Sequence, residues 1–469
     1  MTKKLNFSKI MLSALAMGLV FTSCQKEEVI NEVETATVEL NEPPYNSYLV
    51  VTESSTMSKS AEDFLAGSGN VLKSFPDIGV AVVSSDDVNF EKSTLKNKEF
   101  ASVIPNYIIK WIPTEELVAA DANPTSIGDD EPYFRYLWGM DAIDAPEAWN
   151  AGYTGSGASV YVLDSGISPT HPDIAPNMNY GDSKSFIEGE EWYVTTADES
   201  AHGTHVAGTI AAADNGRGVI GVAPNAEIVG IKVLSGKDGR GPVNALIEGI
   251  YYAGNMGADV INMSLGVTVD RRSFILIDAD GNEFRIPAKH YNHLIIAQQR
   301  AVDYAYKKGS TLIASAGNDP INFDGYSSHM KLPGGLNNVI TVSATSPNGF
   351  TLQDESSNFD FATSYTTYGR SLIDIAGPGG DAYMADGAIN HLDMVLSATP
   401  TGWGWMAGTS MAAPHVSGVA ALIIGKNGGE MAPHEVEMQL LNTADQVDGN
   451  GQSIYFGNGR VNAYRAVTE

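Results

Sequence analysis

The chain of 469 residues holds a single cysteine, Cys24. No disulfide can close within it, so stability must come from a packed core, with or without bound metal. Basic residues are scarce. Lys and Arg number 28 against 56 Asp and Glu, a formal net charge of −28. Such a surface repels phosphate, which argues against general nucleic-acid or anionic-membrane binding. Charge of either sign is sparse, 18% of residues, whereas glycine is abundant at 48. That balance argues against a coiled coil or a disordered chain and suits a compact α/β protein with many tight turns. Long apolar runs are missing near the start too: Ile10–Phe21 is too short for a comfortable membrane span.

Lys3, Lys4 and Lys9 precede that stretch and Thr22-Ser23-Cys24 follows it. A basic start, a short apolar segment and small residues form the layout of an export signal. Small residues before a lone cysteine resemble a bacterial lipobox. This implies that residues 1–23 are removed and that Cys24 is lipidated; an ordinary secretory signal with an incidental cysteine is the other reading. Gln25-Lys26-Glu27-Glu28 resembles the surface-export tag of Bacteroidetes lipoproteins. The resemblance implies a lipid anchor in a membrane and a place in the cell envelope, at the outer-membrane surface. Residues 24–45 are acidic and turn-rich and read as a tether.

Residues 46–113 carry a β-α-β-β-α-β pattern. Strands are expected at Tyr48–Val51, Val71–Phe75, Gly79–Val83 and Val103–Ile109, and helices at Ser60–Leu65 and Phe90–Phe100. The order predicts a small ferredoxin-like α+β domain. It contains no cluster of histidines or paired acids, so chemistry belongs elsewhere. Residues 114–131 read as a linker ending in Asp129-Asp130-Glu131. From residue 132 to 469 strands and helices alternate, which predicts an α/β domain with a parallel sheet covered on both faces. Sites in such sheets lie beyond the carboxyl ends of strands.

The run Gly408-Thr409-Ser410-Met411-Ala412-Ala413-Pro414-His415 leads into Val419–Ile424, which has no polar face and reads as a buried helix. Pro414 is expected in its first turn, where a missing N–H costs nothing. Ser410 then sits near the helix N-terminus, where backbone N–H groups can hold a developing negative charge. Alone it reads equally well as a cap. Three further motifs change the balance. Asp164 ends the strand-like Ser159–Leu163, His202 opens a helix of small residues, and Asn318 follows the strand Thr311–Ser315. Amide hydrolysis by a serine needs a base, an acid to orient the base, and donors for the oxyanion. All four are present, in the order Asp, His, Asn, Ser.

Asp164-Ser165-Gly166, His202-Gly203-Thr204-His205-Val206-Ala207-Gly208 and the Ser410 run resemble the three active-site signatures of subtilisin-like serine proteases, specifically the thermitase-like branch. The likeness runs from about Pro132 to Ala466. It implies an endopeptidase acting on protein and peptide substrates, with Asn318 in the oxyanion role. It implies that the small N-terminal domain is an inhibitory propeptide, the chain's own intramolecular partner. It places substrate on Gly239-Arg240-Gly241 at a cleft edge and on Ser264-Leu265-Gly266 and Ser315-Ala316-Gly317 around the pocket for the residue before the cut, P1. Glycines there let a peptide approach and add as a strand. A non-catalytic peptide-binding module on the same fold is the rival reading, and the intact triad disfavours it.

The resemblance also implies a structural Ca²⁺ held by Asp173 and Asn215 and by the carbonyls of Ala213, Arg217 and Val219, with Asp130 or Glu131 as a further ligand. Mixed oxygen donors suit that ion. Asp278–Glu283 looks like a calcium loop, but its glycine is out of place; the flanking apolar runs predict a β-hairpin within the insertion at 267–292. Finally, Pro333 matches a family proline just past the P1 pocket, which places Lys331 at or near the pocket floor. That position implies some preference for Glu or Asp at P1, and propeptide cleavage near Asp129; a solvent-facing Lys331 is the alternative.

Overall fold

The computed structural model describes residues 46–112, 118–119, 131–272, 274–277, 283–286, 288–352, 358–384, 387–449 and 451–469. The lipobox, the tether and most of the linker lie outside these residues, as do Asp129 and Asp130.

The N-terminal domain is a four-stranded antiparallel sheet in the order Asn70–Phe75, Val80–Ser84, Ser47–Thr52, Phe100–Pro105, with the Lys59–Ser68 helix on one face. Alternation along Tyr48–Val51 explains how the sheet is used. Tyr48 and Val50 face a small core with Ala61, Leu65, Phe90 and Phe100. Leu49 and Val51 belong instead to the large core that includes Leu246, Ile250, Ala297 and Ala301. A sheet buried on both faces reads as a continuous apolar run rather than an alternating one. The second helix is shorter than its sequence suggests, Phe90–Thr94, because a tight turn at Leu95–Asn97 ends it before the strand at Phe100. The last expected strand divides: Phe100–Pro105 stays in the small sheet, while Ile108–Lys110 leaves it and pairs with Arg240–Pro242 of the large domain.

The large domain is built on an eight-stranded sheet among the described residues. Ser159–Asp164 lies at its centre. It pairs in parallel with Glu227–Lys232 on one side and with Val260–Met263 on the other. Thr311–Ser315, Val339–Ser346 and Ile375–Pro378 continue the parallel run. The chain therefore reverses its direction of travel across the sheet at Ser159–Asp164, the kind of point where α/β sheets open a crevice. The His202–Ala211 and Thr409–Lys426 helices pack against each other in one layer. The Val243–Met256 and Ala288–Lys307 helices lie together on the other side. The insertion forms the expected hairpin, Phe274–Ile277 against Glu283–Ile286. No helix among the described residues is long and apolar enough to cross a membrane.

Candidate active site

Each catalytic candidate is positioned by an element end. Asp164 is the last residue of the central strand and is fully buried. His202 is the first residue of its helix, and its Nδ1 lies 2.9 Å from both carboxylate oxygens of Asp164. The backbone N–H and hydroxyl of Ser165 donate to Asp164 Oδ1 at 2.6 and 3.0 Å. These bonds hold the carboxylate in one orientation, so it fixes the imidazole with Nε2 as the basic nitrogen. The approach is close enough to require glycine at 203: a Cβ there would lie 2.3 Å from the Gly166 carbonyl oxygen and 3.0 Å from Asp164 Oδ1.

Ser410 is the second residue of the Thr409–Lys426 helix, and its hydroxyl donates to the Ser264 carbonyl at 3.3 Å. Pro414 is not in the first turn but at the sixth position, so the Ser410 carbonyl has no N–H four residues on. The Ser264 hydroxyl donates to that carbonyl instead, at 2.8 Å. Two reciprocal bonds thus tie the nucleophile's residue to the strand end at Ser264. Asn318 is oriented the same way. Its Oδ1 accepts from the Thr409 backbone N–H at 3.0 Å and from the Thr409 hydroxyl at 2.8 Å. With the oxygen held, the NH₂ end is the part of the amide available to an oxyanion. Thr409 and the Ser264 hydroxyl are positioning groups that sequence reasoning did not single out. Thr409 could have been found by its place beside Ser410 at the helix start; the Ser264 contact has no local signal.

The substrate-side residues form two rails. Arg240-Gly241-Pro242 pairs antiparallel with Lys110-Ile109-Ile108. Across the groove the Gly266 N–H donates to the Trp111 carbonyl at 2.7 Å, and the Trp111 indole donates to the Gly241 carbonyl at 3.1 Å. Ile112 lies against Gly239, and together with His202, Thr399–Thr401 and Met406 it lines a cavity of about 500 Å³. Val118–Ala119 pairs with the Gly402–Met406 strand, which leads straight to Ser410. Chain therefore flanks the triad on both sides. Ser315 and Ala316 are buried beside Leu265, with the Ser315 hydroxyl donating to the Leu265 carbonyl at 3.5 Å, and Gly317 follows half-buried. Lys331 is buried between these two segments rather than facing solvent.

The calcium candidates converge on one loop. The Asp173 Oδ2 accepts from the Val219 N–H at 3.0 Å and from the Trp403 indole at 2.7 Å. Its Oδ1 is buried with no hydrogen-bond partner. Burial pushes the Asp173 carboxyl up to about 6. Glu131, also fully buried, accepts from the backbone of Asn215 and Gly216 at 2.7 and 2.9 Å and so closes the loop from the side the sequence allowed for. Ala213 is tied in through its N–H to the Asp173 carbonyl at 2.7 Å, and Arg217 lies on the exposed rim. The described residues hold no group of three or more His, Cys, Asp or Glu placed to share a metal. A site here would rest on mixed oxygens, with the orphaned Asp173 Oδ1 among them, and that donor set fits Ca²⁺.

A carboxylate-fixed imidazole, a serine on a helix start and an oriented amide on a parallel α/β sheet define a serine endopeptidase. The chain belongs to the Subtilase family (Peptidase_S8), whose model matches residues 155–459. It is 35% identical to thermitase of Thermoactinomyces vulgaris over 341 residues, 72% of this chain and 98% of that one. It is 36% identical to subtilisin BL of Lederbergia lenta over 330 residues, 70% and 98% of the two chains. Among solved structures, the epidermin leader peptide processing serine protease of Staphylococcus aureus superposes with a TM-score of 0.69 at 24% identity, covering 90% of this chain and 97% of that one, a likeness of fold.

Proposed function

We propose that this chain is the zymogen of a calcium-binding endopeptidase, anchored by lipid on Cys24 to the cell envelope, shut by its own N-terminal domain and opened by its own Ser410. Ser410 attacks the scissile carbonyl, His202 takes and returns the proton, Asp164 orients His202, and Asn318 with the Ser410 N–H holds the oxyanion. The observation that carries the zymogen reading is the strand Ile108–Lys110. It occupies the edge where an extended substrate would pair, and Ile112 continues from it to the cavity beside His202. With Val118–Ala119 paired to the Gly402–Met406 strand, the proposed cut lies between Ile112 and Val118, upstream of the Asp129 expected from the linker's acids. The neighbouring Glu131 supports this, because its burial at the Asn215 loop argues for a place within the mature domain.

Calcium would be held by Asp173, Asn215 and the carbonyls of the 213–219 loop, where it would neutralise a buried carboxylate. The lipid anchor and the envelope location rest on the Cys24 motif alone; Cys24→Ala is expected to release the protein from membranes, and a wild-type protein found only free of membrane refutes the anchor. The zymogen reading is tested with purified Ser410→Ala in the absence of other proteases. It should stay at full length while wild type splits, and the new N-terminus of the wild type should fall between residues 113 and 118. A Ser410→Ala chain that matures by itself refutes self-processing.

A further inference from the structure

We infer that Lys331 makes the P1 pocket select an acidic side chain, so that the enzyme cuts after glutamate in preference to the isosteric glutamine. The inference rests on the serine-peptidase reading above and on the expected place of the P1 side chain between Ser264-Leu265-Gly266 and Ser315-Ala316-Gly317.

Lys331 stands opposite Thr268 in the antiparallel ribbon formed by Val267–Asp270 and His329–Leu332. This ribbon continues directly from Gly266, so the lysine projects from the base of the pocket-lining segment. Its side chain is 3% exposed. The ammonium lies against the backbone of Gly317: a Cβ on Gly317 would come within 1.9 Å of Nζ, and a Cβ on Gly266 would lie 3.2 Å from Cε. The two glycines that open the pocket are thus the two that make room for the lysine, and its charged end arrives one residue before Asn318.

The ammonium is poorly satisfied there. It has three N–H donors. Its hydroxyl contact is with Thr268 Oγ1 at 3.4 Å, and among the described residues its carboxylate partner, Asp319 Oδ2, is 4.0 Å away. That Asp319 oxygen is already engaged by the Thr268 hydroxyl at 3.0 Å, and its side chain is about a third exposed. A buried charge without close partners is costly, and a carboxylate entering the pocket would supply the missing charge-assisted bond. Burial pulls the lysine below its usual range, and Asp319 opposes that pull. A glutamine of the same shape offers a neutral acceptor only, and an apolar side chain leaves the ammonium desolvated and unanswered. Discrimination of this kind is larger than that given by a methylene, because the polar group in the pocket is left unpaired by the wrong substrate.

The test uses the processed wild-type enzyme and peptides that differ only at P1: Glu, Gln, Leu and Ala. Folded sites are counted by fluorophosphonate labelling of Ser410. Wild type should cut the Glu peptide roughly tenfold to a hundredfold better than Gln in kcat/KM. Lys331→Met keeps the aliphatic stem and should bring that ratio to one or below, since Asp319 remains. Asp319→Asn removes the competing carboxylate and should raise the ratio above wild type. At high pH, Glu-peptide cleavage should fall before Gln-peptide cleavage as the lysine loses its proton. Efficient cleavage of Leu with Glu no better than Gln overturns the inference and leaves the peptidase reading intact. Preference for Ala over all others also overturns it, because the lysine would then be filling the pocket rather than charging it. A labelled enzyme whose Glu:Gln ratio is unmoved by Lys331→Met overturns it as well. Failure of every peptide together with failure of the label takes down both readings.

Discussion

Pro414 removes the N–H that the Ser410 carbonyl would accept in an ordinary helix, and Ser264, just past the end of the Val260–Met263 strand, fills the gap. An interior proline costs about 3 kcal/mol when nothing compensates. Ser264→Ala should therefore strand a buried carbonyl, cost about 1–3 kcal/mol in stability, and lower kcat through a less well-fixed nucleophile. Melting temperature and kcat both equal to wild type would show that the contact does not matter. Asn318 offers a cleaner case, because its carbonyl end is held by Thr409 at two points. In the proposed oxyanion role its remaining N–H groups would act on charge that develops only in the transition state. Asn318→Ala should lower kcat by about 10²–10³ with little change in KM. An unchanged kcat removes Asn318 from the oxyanion role.

Single elements do more than frame these residues. Ile108 and Ile109 were expected at the end of the small sheet's last strand, Val103–Ile109, yet they cross to the large domain with Lys110. The interior side chains of this segment explain the choice: Ile109, Trp111 and Ile112 are all buried against the cleft edge and the large core. Trp111 contributes both an indole N–H bond and a backbone bond, so it is the anchor of the strand. Large aromatic anchors dominate such contacts. Under the proposed zymogen mechanism, Trp111→Ala should shorten the lag between self-cleavage and full activity, since the cut N-terminal domain would dissociate sooner. The lag is read by following peptide hydrolysis after processing begins; an unaltered lag puts the hold of the N-terminal domain elsewhere. The face of the small sheet is the second hold, reinforced by Lys73 Nζ on buried Glu248 at 3.0 Å and by Arg300 donating to the Thr52 and Ile78 carbonyls at 3.3 Å.

At the scale of the whole molecule, a chain with one cysteine takes its stability from the packed core, to which the proposed calcium would add. The Asp173 carboxyl, pushed up to about 6 by burial, sets how that contribution varies with pH. Unfolded, the group titrates near 3.9. The folded, metal-free protein therefore binds more protons between about pH 4 and 6, and its stability should fall as pH rises through that window. Calcium held as proposed would bind the ionised form and reverse the loss. The difference in melting temperature between excess Ca²⁺ and excess EDTA should widen from pH 5 to pH 7.5, and Asp173→Asn should remove the widening. Equal melting curves at every pH refute a stabilising site.

Sequence by itself determined what is local. A strand that ends in Asp164, a helix that begins at His202 and a glycine-led turn before Ser410 each put a reactive group at an element end, and backbone geometry carries it from there. The apolar runs also declared which strands would be buried. They could not say against what. Whether Leu49 and Val51 meet a helix of their own domain or of the next, and whether Ile108 pairs at home or across the cleft, depends on competing surfaces more than a hundred residues away. The same holds for Ser264 on Ser410 and for Thr409 on Asn318: the hydroxyl is in the sequence, but the unsatisfied partner exists only after folding. Lys331 is the sharpest instance. Its position relative to Pro333 could be counted along the chain, but its burial was decided by two glycines, Gly266 and Gly317, brought from separate strands to leave a lysine-sized space.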